Sequence, residues 1–460
     1  MAATAELPAL DALGPGGVYR THERQTITDV AGNPLAELSL VPKLYVTRAM
    51  AALHKAETLP VDERLAALAR AGEAHATGTV DGVTAADHQL IVSRASGMPI
   101  SVVRSAGAAI ARSAAEVYRS VQHARPAGAV NHWRDPLTRT GRGVWTRRGD
   151  VFAVHAPGNH PGVHGLWLEA LALGYRVAVR PSRRDPFTPH RLISALRAAG
   201  FGDDQVVLLP SGYDAADEIV RGADLAMAYG GEDVMRKYAG YATMLPQGPG
   251  RSKILLTADV DWREHLDVIV ASISHEGGRA CVNTTAVFVQ GDTAPVARAI
   301  AERLAALPSL PPEDEHAVLP VLALADAQKL ERHLLARATG TVPWLGGEGV
   351  VDDLGDGSAV LRPAVHELDR PDAEQAGVEL SFPCVWVAPW TPAAGIQPLK
   401  DTLVLTAITH DPQLVDALVA EPTISNVYVG DHPTYWIEPG IPHDGYLAEF
   451  LMRTKAVIRD

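Results

Sequence analysis

The chain has 460 residues, 47% of them apolar and 21% charged, which suffices to bury a large core and is too long for one simple compact unit, so two or three domains are expected. A formal charge of -13 argues against a nucleic-acid partner or an anionic membrane surface, because neutralising phosphates requires an excess of Lys and Arg. Two cysteines cannot build a disulfide framework, the first residues lack the regions of a signal peptide, and no apolar run approaches the ~18 residues of a membrane span, so a cytoplasmic protein is predicted.

In chain order, residues 1–45 mix short apolar runs with Gly and Pro and read as a surface lead-in. From Leu59 the pattern turns helical, with Leu65, Leu68 and Ala69 on one face, and a second helix is predicted over 101–121. Residues 126–150 carry turn residues between short runs, which predicts a hairpin-like excursion. Apolar runs at 151–154, 176–180, 206–209 and 225–229 alternate with helical stretches, the pattern of parallel βαβ units. One of those helices has Thr188 as its expected cap, Pro189 in its first turn and Gly200 beyond its end.

The first of these strands does not run into Gly-x-Gly-x-x-Gly but into His155-Ala-Pro-Gly-Asn-His-Pro-Gly162, so the usual dinucleotide fingerprint is missing. Beyond residue 250 a strand at 254–256 and helices at 262–274, 296–307 and 325–338 predict a second α/β domain, and a last short strand is expected at 456–459. His155, His160 and His164 flank the strand-to-helix turn without metal-ligand spacing, and no metal site is predicted.

The stretch Glu276-Gly-Gly-Arg-Ala-Cys281 sets one of the two cysteines between a glycine pair and a β-rich run. Cys281 is the candidate nucleophile, since a thiolate attacks carbonyl carbon well; the competing reading is a small buried hydrophobe. Arg279 reads either as an electrostatic helper of that thiolate or as a solvated surface arginine.

Several segments together resemble the aldehyde dehydrogenase superfamily, from about residue 59 to the end. His155-Ala-Pro-Gly-Asn-His-Pro161 looks like its Pro-Trp-Asn-Phe-Pro segment, and Gly174-Tyr-Arg-Val-Ala-Val-Arg-Pro-Ser-Arg183 like Gly-Asn-x-Val-Val-x-Lys-Pro-Ser-Glu. Ala228-Tyr-Gly-Gly231 resembles Phe-Thr-Gly-Ser, Gln247-Gly-Pro-Gly-Arg-Ser252 resembles Glu-Leu-Gly-Gly-Lys-Ser, Gly278-Arg-Ala-Cys281 resembles Gly-Gln-x-Cys, and Glu379-Leu-Ser-Phe-Pro383 resembles Glu-Ile-Phe-Gly-Pro. The resemblance implies an α/β fold of two doubly wound domains plus a small β oligomerisation excursion. Residues 1–125 and 151–247 would bind NAD(P), 248–435 would form the catalytic domain, and 126–150 with 436–460 would bridge subunits of a homodimer or larger assembly.

It also implies roles for single residues. Asn159, with the backbone N–H of Cys281, would hold the oxyanion. Ala156, Pro157, Arg180 and Ser182 would line the cofactor site, the last two at the adenosine ribose, and Glu379 would accept hydrogen bonds from the nicotinamide ribose. Gly230 and Gly231 open a helix whose N–H groups would face the pyrophosphate, although Glu232 and Asp233 beside them would repel it. Arg183 replaces an acidic residue of NAD-preferring members and suits a 2′-phosphate, so NADPH is expected over NADH, with NAD still possible. Cys384 is read as packing.

Gln247 stands where hydrolytic members carry the Glu that activates water, and an amide cannot take that proton. The set therefore also resembles the acyl-CoA reductases, which implies reduction of an acyl thioester or acyl-adenylate by NADPH through a Cys281 thioacyl enzyme, with an acyl-activating partner if the acid arrives as an adenylate. The alternatives are NAD(P)-dependent aldehyde oxidation and, from a different class, a cofactor-binding subunit of an acyl-activating complex. His443-Asp444 falls where the family has Pro-Phe-Gly-Gly and could line a substrate mouth. Trp167, Trp386, Trp390, Tyr435 and Trp436 leave an aromatic or extended apolar acid open.

Overall fold

Two seven-stranded sheets carry most of the chain in the computed structural model, which describes residues 7–460. Most of the leading stretch read for a signal peptide therefore lies outside the described residues. The first sheet runs Met244–Gln247, Leu225–Tyr229, Val151–His155, Arg176–Arg180, Val206–Leu208, Ala12–Gly14 and Gly17–Tyr19. Its first five strands are parallel. Phe152, Val154, Val177, Val179, Val206, Val207 and Leu208 are buried, as expected of strands covered by helices on both faces.

The order of these strands makes the site. Val151–His155 is central; the chain fills the sheet to one side of it with Arg176–Arg180 and Val206–Leu208, then crosses to Leu225–Tyr229 on the other. The carboxyl ends of Val151–His155 and Leu225–Tyr229 thus flank a topological switch point, where the connecting segments part and leave a crevice.

The segment predicted as a surface lead-in belongs to the core. Ala12–Gly14 pairs antiparallel with Val206–Leu208, while Pro34–Ser39 pairs with both Ala9–Leu10 and Arg24–Thr28. Ala12, Leu13 and Leu38 are buried, and the buried Asp11 carboxylate accepts from the Ser39 hydroxyl at 2.7 Å. Strands this short leave no periodicity to read.

The helix expected to start at Thr188 spans Phe187–Ala198. Its cap is Asp185, whose carboxylate accepts from the Thr188 N–H at 3.0 Å, with Pro186 next in the chain. An Asp-Pro pair supplies both an acceptor for an orphan N–H and a preset φ, so it displaces Thr188 as the start signal.

The second sheet runs Val342–Leu345, Ala364–Glu367, Cys384–Pro389, Thr284–Val289, Ser252–Leu256, Thr402–Ile408 and Ile424–Val429, parallel except for its first strand. A separate three-stranded sheet joins Met452–Val457, Arg142–Arg147 and Ala129–Val130. Residues 126–150 are therefore not a hairpin: their two strands run parallel, and the closing strand, earlier than the predicted 456–459, pairs antiparallel with Arg142–Arg147.

The helix Ile100–His123 has two working faces. Ile110, Ala114 and Val121 are buried against the core that includes Leu68 and Ala71 of the helix Val61–Thr77, while Ser105, Arg112, Ser113, Glu116 and Ser120 face the cleft described below. No helix among the described residues is long and apolar enough to cross a membrane.

Candidate active site

A cleft of about 1620 Å³ lies where residues following strands of the first sheet meet residues preceding strands of the second. The first group includes Ala156, Pro157, Asn159, Gly230 and Gly231; the second includes Gly250, Cys281 and Glu379. This exceeds the ~300–1000 Å³ of an ordinary small-ligand pocket and leaves room for a dinucleotide beside a second substrate.

Cys281 sits just before the strand Thr284–Val289, half-buried at the cleft wall. The approach to it is tightly bent: Glu276 has φ 50° and ψ 37°, and Gly277 and Gly278 have φ 77° and 66°. A Cβ on Gly278 would lie 2.5 Å from the Pro383 nitrogen, and one on Gly250 would lie 1.8 Å from the Cys281 carbonyl oxygen. Those glycines let three strand-leading segments converge. Gly278→Ala is expected to cost about 1–3 kcal/mol from its backbone conformation alone, read as a lower denaturation midpoint.

Polar contacts then fix the nucleophile loop. The Asn283 side chain accepts from Ala280 N–H at 2.8 Å and donates to the carbonyls of Ser272 and His275, and the Ser252 hydroxyl donates to the Cys281 carbonyl at 3.0 Å. Burial, with the nearby Glu379 charge, pushes the Cys281 thiol up to about 12, so it rests protonated and needs a base to react. The thiol has such a neighbour: Sγ lies 3.5 Å from His443 Nε2.

Asn159 lines the same cleft and donates from Nδ2 to the Arg279 carbonyl at 3.1 Å. That bond orients the amide and leaves its second N–H for a substrate oxygen. Arg279 is neither a solvated arginine nor a cleft residue: it is buried, with one guanidinium nitrogen donating to the Ser96 carbonyl at 2.9 Å. Gln247 ends the strand Met244–Gln247, lines the cleft and is buried, with its carbonyl accepting from Gly230 N–H at 3.0 Å.

On the cofactor side, Glu379 accepts from Arg251 N–H at 2.8 Å; burial raises its carboxyl, partly offset by hydrogen bonds from the Arg251 and Gly250 N–H groups. Gly231 caps the helix Glu232–Tyr238, and a Cβ there would meet nothing within 4 Å, so the backbone is open to a ligand. The acidic residues that follow are each paired, Glu232 with Arg251 and Asp233 with Arg236, which removes much of the repulsion expected toward a pyrophosphate. Ser182 lines the cleft. Arg180 donates to the Ser211 carbonyl at 3.0 Å, and Arg180 and the exposed Arg183 lie 5.6 and 5.4 Å over the ring of Tyr213. Open backbone donors and a cleft-lining carboxylate fit NAD(P); Ser182 and Arg184 line the cleft, whereas Arg180, Arg183 and Tyr213, against the sequence expectation for the two arginines, stand beside it and not in its lining.

The aromatic residues divide differently from the sequence expectation. Trp167, Trp386 and Trp390 are core residues, and Trp436 lies on the surface edge-on to Tyr428. Tyr435 lines the cleft, stacked on His275 at 3.7 Å. In the same cleft His160 Nε2 lies 2.6 Å from the Glu276 carboxylate; burial would raise that carboxyl, but His160 and His275 hold it below its ordinary range.

The three histidines that could have suggested a metal have separate surroundings. Burial and Arg180 pull His155 down to about 4, His160 faces Glu276, and His164 Nδ1 accepts from the Trp167 indole at 3.0 Å. The sequence marks His443 only as a mouth residue; its place on the thiol depends on a contact between residues 162 apart, which no local spacing encodes.

The sequence model of the aldehyde dehydrogenase family matches residues 25–445. An aldehyde-dehydrogenase-like protein of Sinorhizobium fredii is 22% identical over 222 residues, which span 44% of this chain and 43% of that protein's length. Among solved structures, gamma-glutamyl-gamma-aminobutyraldehyde dehydrogenase of Burkholderia cenocepacia shares the fold with a TM-score of 0.80 at 18% identity, covering 99% of this chain and 97% of its own. An NAD-dependent aldehyde dehydrogenase of Sinorhizobium meliloti does so with a TM-score of 0.82 at 17% identity, covering 98% and 94%.

Proposed function

Since the chain belongs to the aldehyde dehydrogenase family, whose members are oxidoreductases acting on aldehydes with NAD(P), we propose that it oxidises an aldehyde to the carboxylic acid through a Cys281 thioacyl enzyme. The observation that carries this reading is the meeting of Cys281 and Asn159 in one cleft whose other arm fits a dinucleotide. Cys281 attacks the carbonyl carbon, and the free Asn159 N–H with the Cys281 backbone N–H receives the oxygen as it becomes negative. Glu379 and the Gly230–Gly231 backbone position NAD(P), which supplies the hydride acceptor when bound.

Oxidation is favoured over the acyl reduction expected from Gln247 because the Burkholderia and S. meliloti proteins of this fold are both aldehyde dehydrogenases. The reduction of an acyl thioester stays as the second reading, supported by the amide at Gln247, and would engage an acyl-activating partner if the acid came as an adenylate. Steady-state rates decide between them. CoA-independent acid formation from aldehyde and NAD(P) should exceed NADPH consumption with an acyl-CoA panel; the reverse order overturns the proposed direction, and inactivity in both would favour a cofactor-binding subunit.

The substrate arm is more polar than the tryptophans suggested. Ser105, Arg112, Ser113, Glu116 and Ser120 form one wall, and Glu169 and Tyr435 line the same cleft. A polar aldehyde fits this lining better than an extended apolar one.

For the cofactor, NADP is the preferred form, supported by Arg183, which is exposed beside Arg180 and Tyr213 and makes no ion pair among the described residues. Arg183→Ala is expected to raise KM for NADP by about 10-fold and leave KM for NAD nearly unchanged, as loss of one charge-assisted phosphate contact predicts. Equal effects on both cofactors would remove Arg183 from the phosphate site. A homodimer or larger assembly is supported by the strand Met452–Val457, which forms one edge of its sheet with Arg453, Thr454, Lys455 and Ala456 exposed. Light scattering at assay concentration tests it; a monomer there rules the assembly out.

A further inference from the structure

Resting on the oxidation reading, we propose that His443 is the acid–base catalyst of this site: it takes the proton of the Cys281 thiol during attack and later activates the water that releases the acid. The contact is the right kind. Nε2 reaches Sγ at 3.5 Å, and catalytic hydrogen bonds are commonly looser before substrate binds.

Other groups of the same cleft that could be considered as the base have different partners or no basic atom. Glu379 accepts from Arg251 N–H, Glu276 faces His160, Asp444 accepts from the Ser425 hydroxyl at 3.1 Å, and Gln247 has an amide where a carboxylate would act as base. Tyr229, also near Cys281, is held neutral by burial. Around His443 itself the charged and titratable groups are Cys281 and Asp444, with Glu379 and Tyr229 beyond the sulfur.

The histidine is also held in place. Its backbone carbonyl accepts from Asn426 Nδ2, and the same amide donates to the Leu403 carbonyl at 2.9 Å, so the strands Thr402–Ile408 and Ile424–Val429 anchor the segment that carries the ring. Desolvation lowers the His443 imidazole below its usual range, with Asp444 opposing the shift. At neutral pH it is therefore a free base, able to accept a proton rather than already carrying one.

Protons and electrons balance in this scheme. As the S–C bond forms, the S–H proton passes to Nε2 and the carbonyl π pair becomes the oxyanion at Asn159. After oxidation by NAD(P), the imidazolium releases that proton to solvent. Neutral His443 then takes a proton from water as the water oxygen bonds to the thioester carbon, and returns it to sulfur as the C–S bond breaks. An aldehyde, water and the oxidised cofactor become the carboxylic acid, the reduced cofactor and one proton, with Gln247 uninvolved in proton transfer.

The test is iodoacetamide alkylation of Cys281, followed on its peptide by mass spectrometry from about pH 5 to 9, where the sulfur displaces iodide and His443 takes the proton. A thiol with an adjacent base should react with a rate that levels off above the lowered histidine pKa. A thiol near 12 without one should react about tenfold faster with each pH unit throughout. His443→Gln should abolish the plateau and slow alkylation by roughly 100-fold at pH 7. A wild-type rate climbing without a plateau, or a His443→Gln profile like wild type, overturns the proposal, and the wild-type profile decides it alone if the variant does not fold. Aldehyde turnover without a plateau would sink the histidine and spare the oxidation reading; a plateau without aldehyde turnover would do the opposite.

Discussion

Cys281→Ala is expected to lower aldehyde turnover by about 10⁴-fold or more while NAD(P) binding persists. The sulfur is the atom that forms and breaks the covalent bond, and the cofactor contacts assigned to Glu379, Gly230 and Gly231 lie on other segments of the cleft. Alanine removes Sγ without adding volume, and the Ser252 and Asn283 contacts that fix the loop run to backbone groups, so they survive the change. Cofactor fluorescence titration beside a turnover assay separates the two effects. Residual activity above about 1% would mean that the chemistry does not pass through this residue.

The second large effect is at Asn159. Asn159→Ala should reduce kcat by about 10²–10³-fold, equivalent to roughly 2.7–4 kcal/mol, which is the usual contribution of one preorganised oxyanion donor. One Nδ2 hydrogen already serves the Arg279 carbonyl, so the amide is oriented before substrate arrives and loses nothing to reorganisation when charge develops. The signature is a fall in kcat with KM nearly unchanged, because a donor aimed at developing charge binds the ground state weakly. If KM alone rose, Asn159 would be a substrate contact and not the oxyanion donor.

The parts of this architecture that were legible in the sequence share one physical reason. Strands such as Val151–His155 and Arg176–Arg180 are buried on both faces, so each writes itself as a continuous apolar run between turn residues. Cys281 was legible because the glycines that precede it are forced by backbone geometry, and Gly278 and Gly250 stand where a side chain would collide with neighbouring backbone. What stayed hidden is long-range or cooperative. The cleft face of Ile100–His123 reads like an ordinary solvated face, and Arg279 reads like a surface arginine although Ser96 draws it inward. Thr188 lost its capping role to Asp185 three residues earlier, and the first forty residues joined the sheet with strands too short to show a period.

The route by which His443 reaches the thiol bears on how the protein matures. Past His443 the chain forms the short helix Leu447–Leu451 and ends in the strand Met452–Val457, which joins Arg142–Arg147; the Arg453 carbonyl meets the Thr146 hydroxyl across 307 residues. The strand Arg142–Arg147 must wait for about 300 further residues to be synthesised before its partner exists, and contacts of such sequence separation form late. Until then the sulfur lacks both its burial and its imidazole, so it reacts as an ordinary exposed cysteine, and only the folded cleft makes it a neutral thiol with a base at hand.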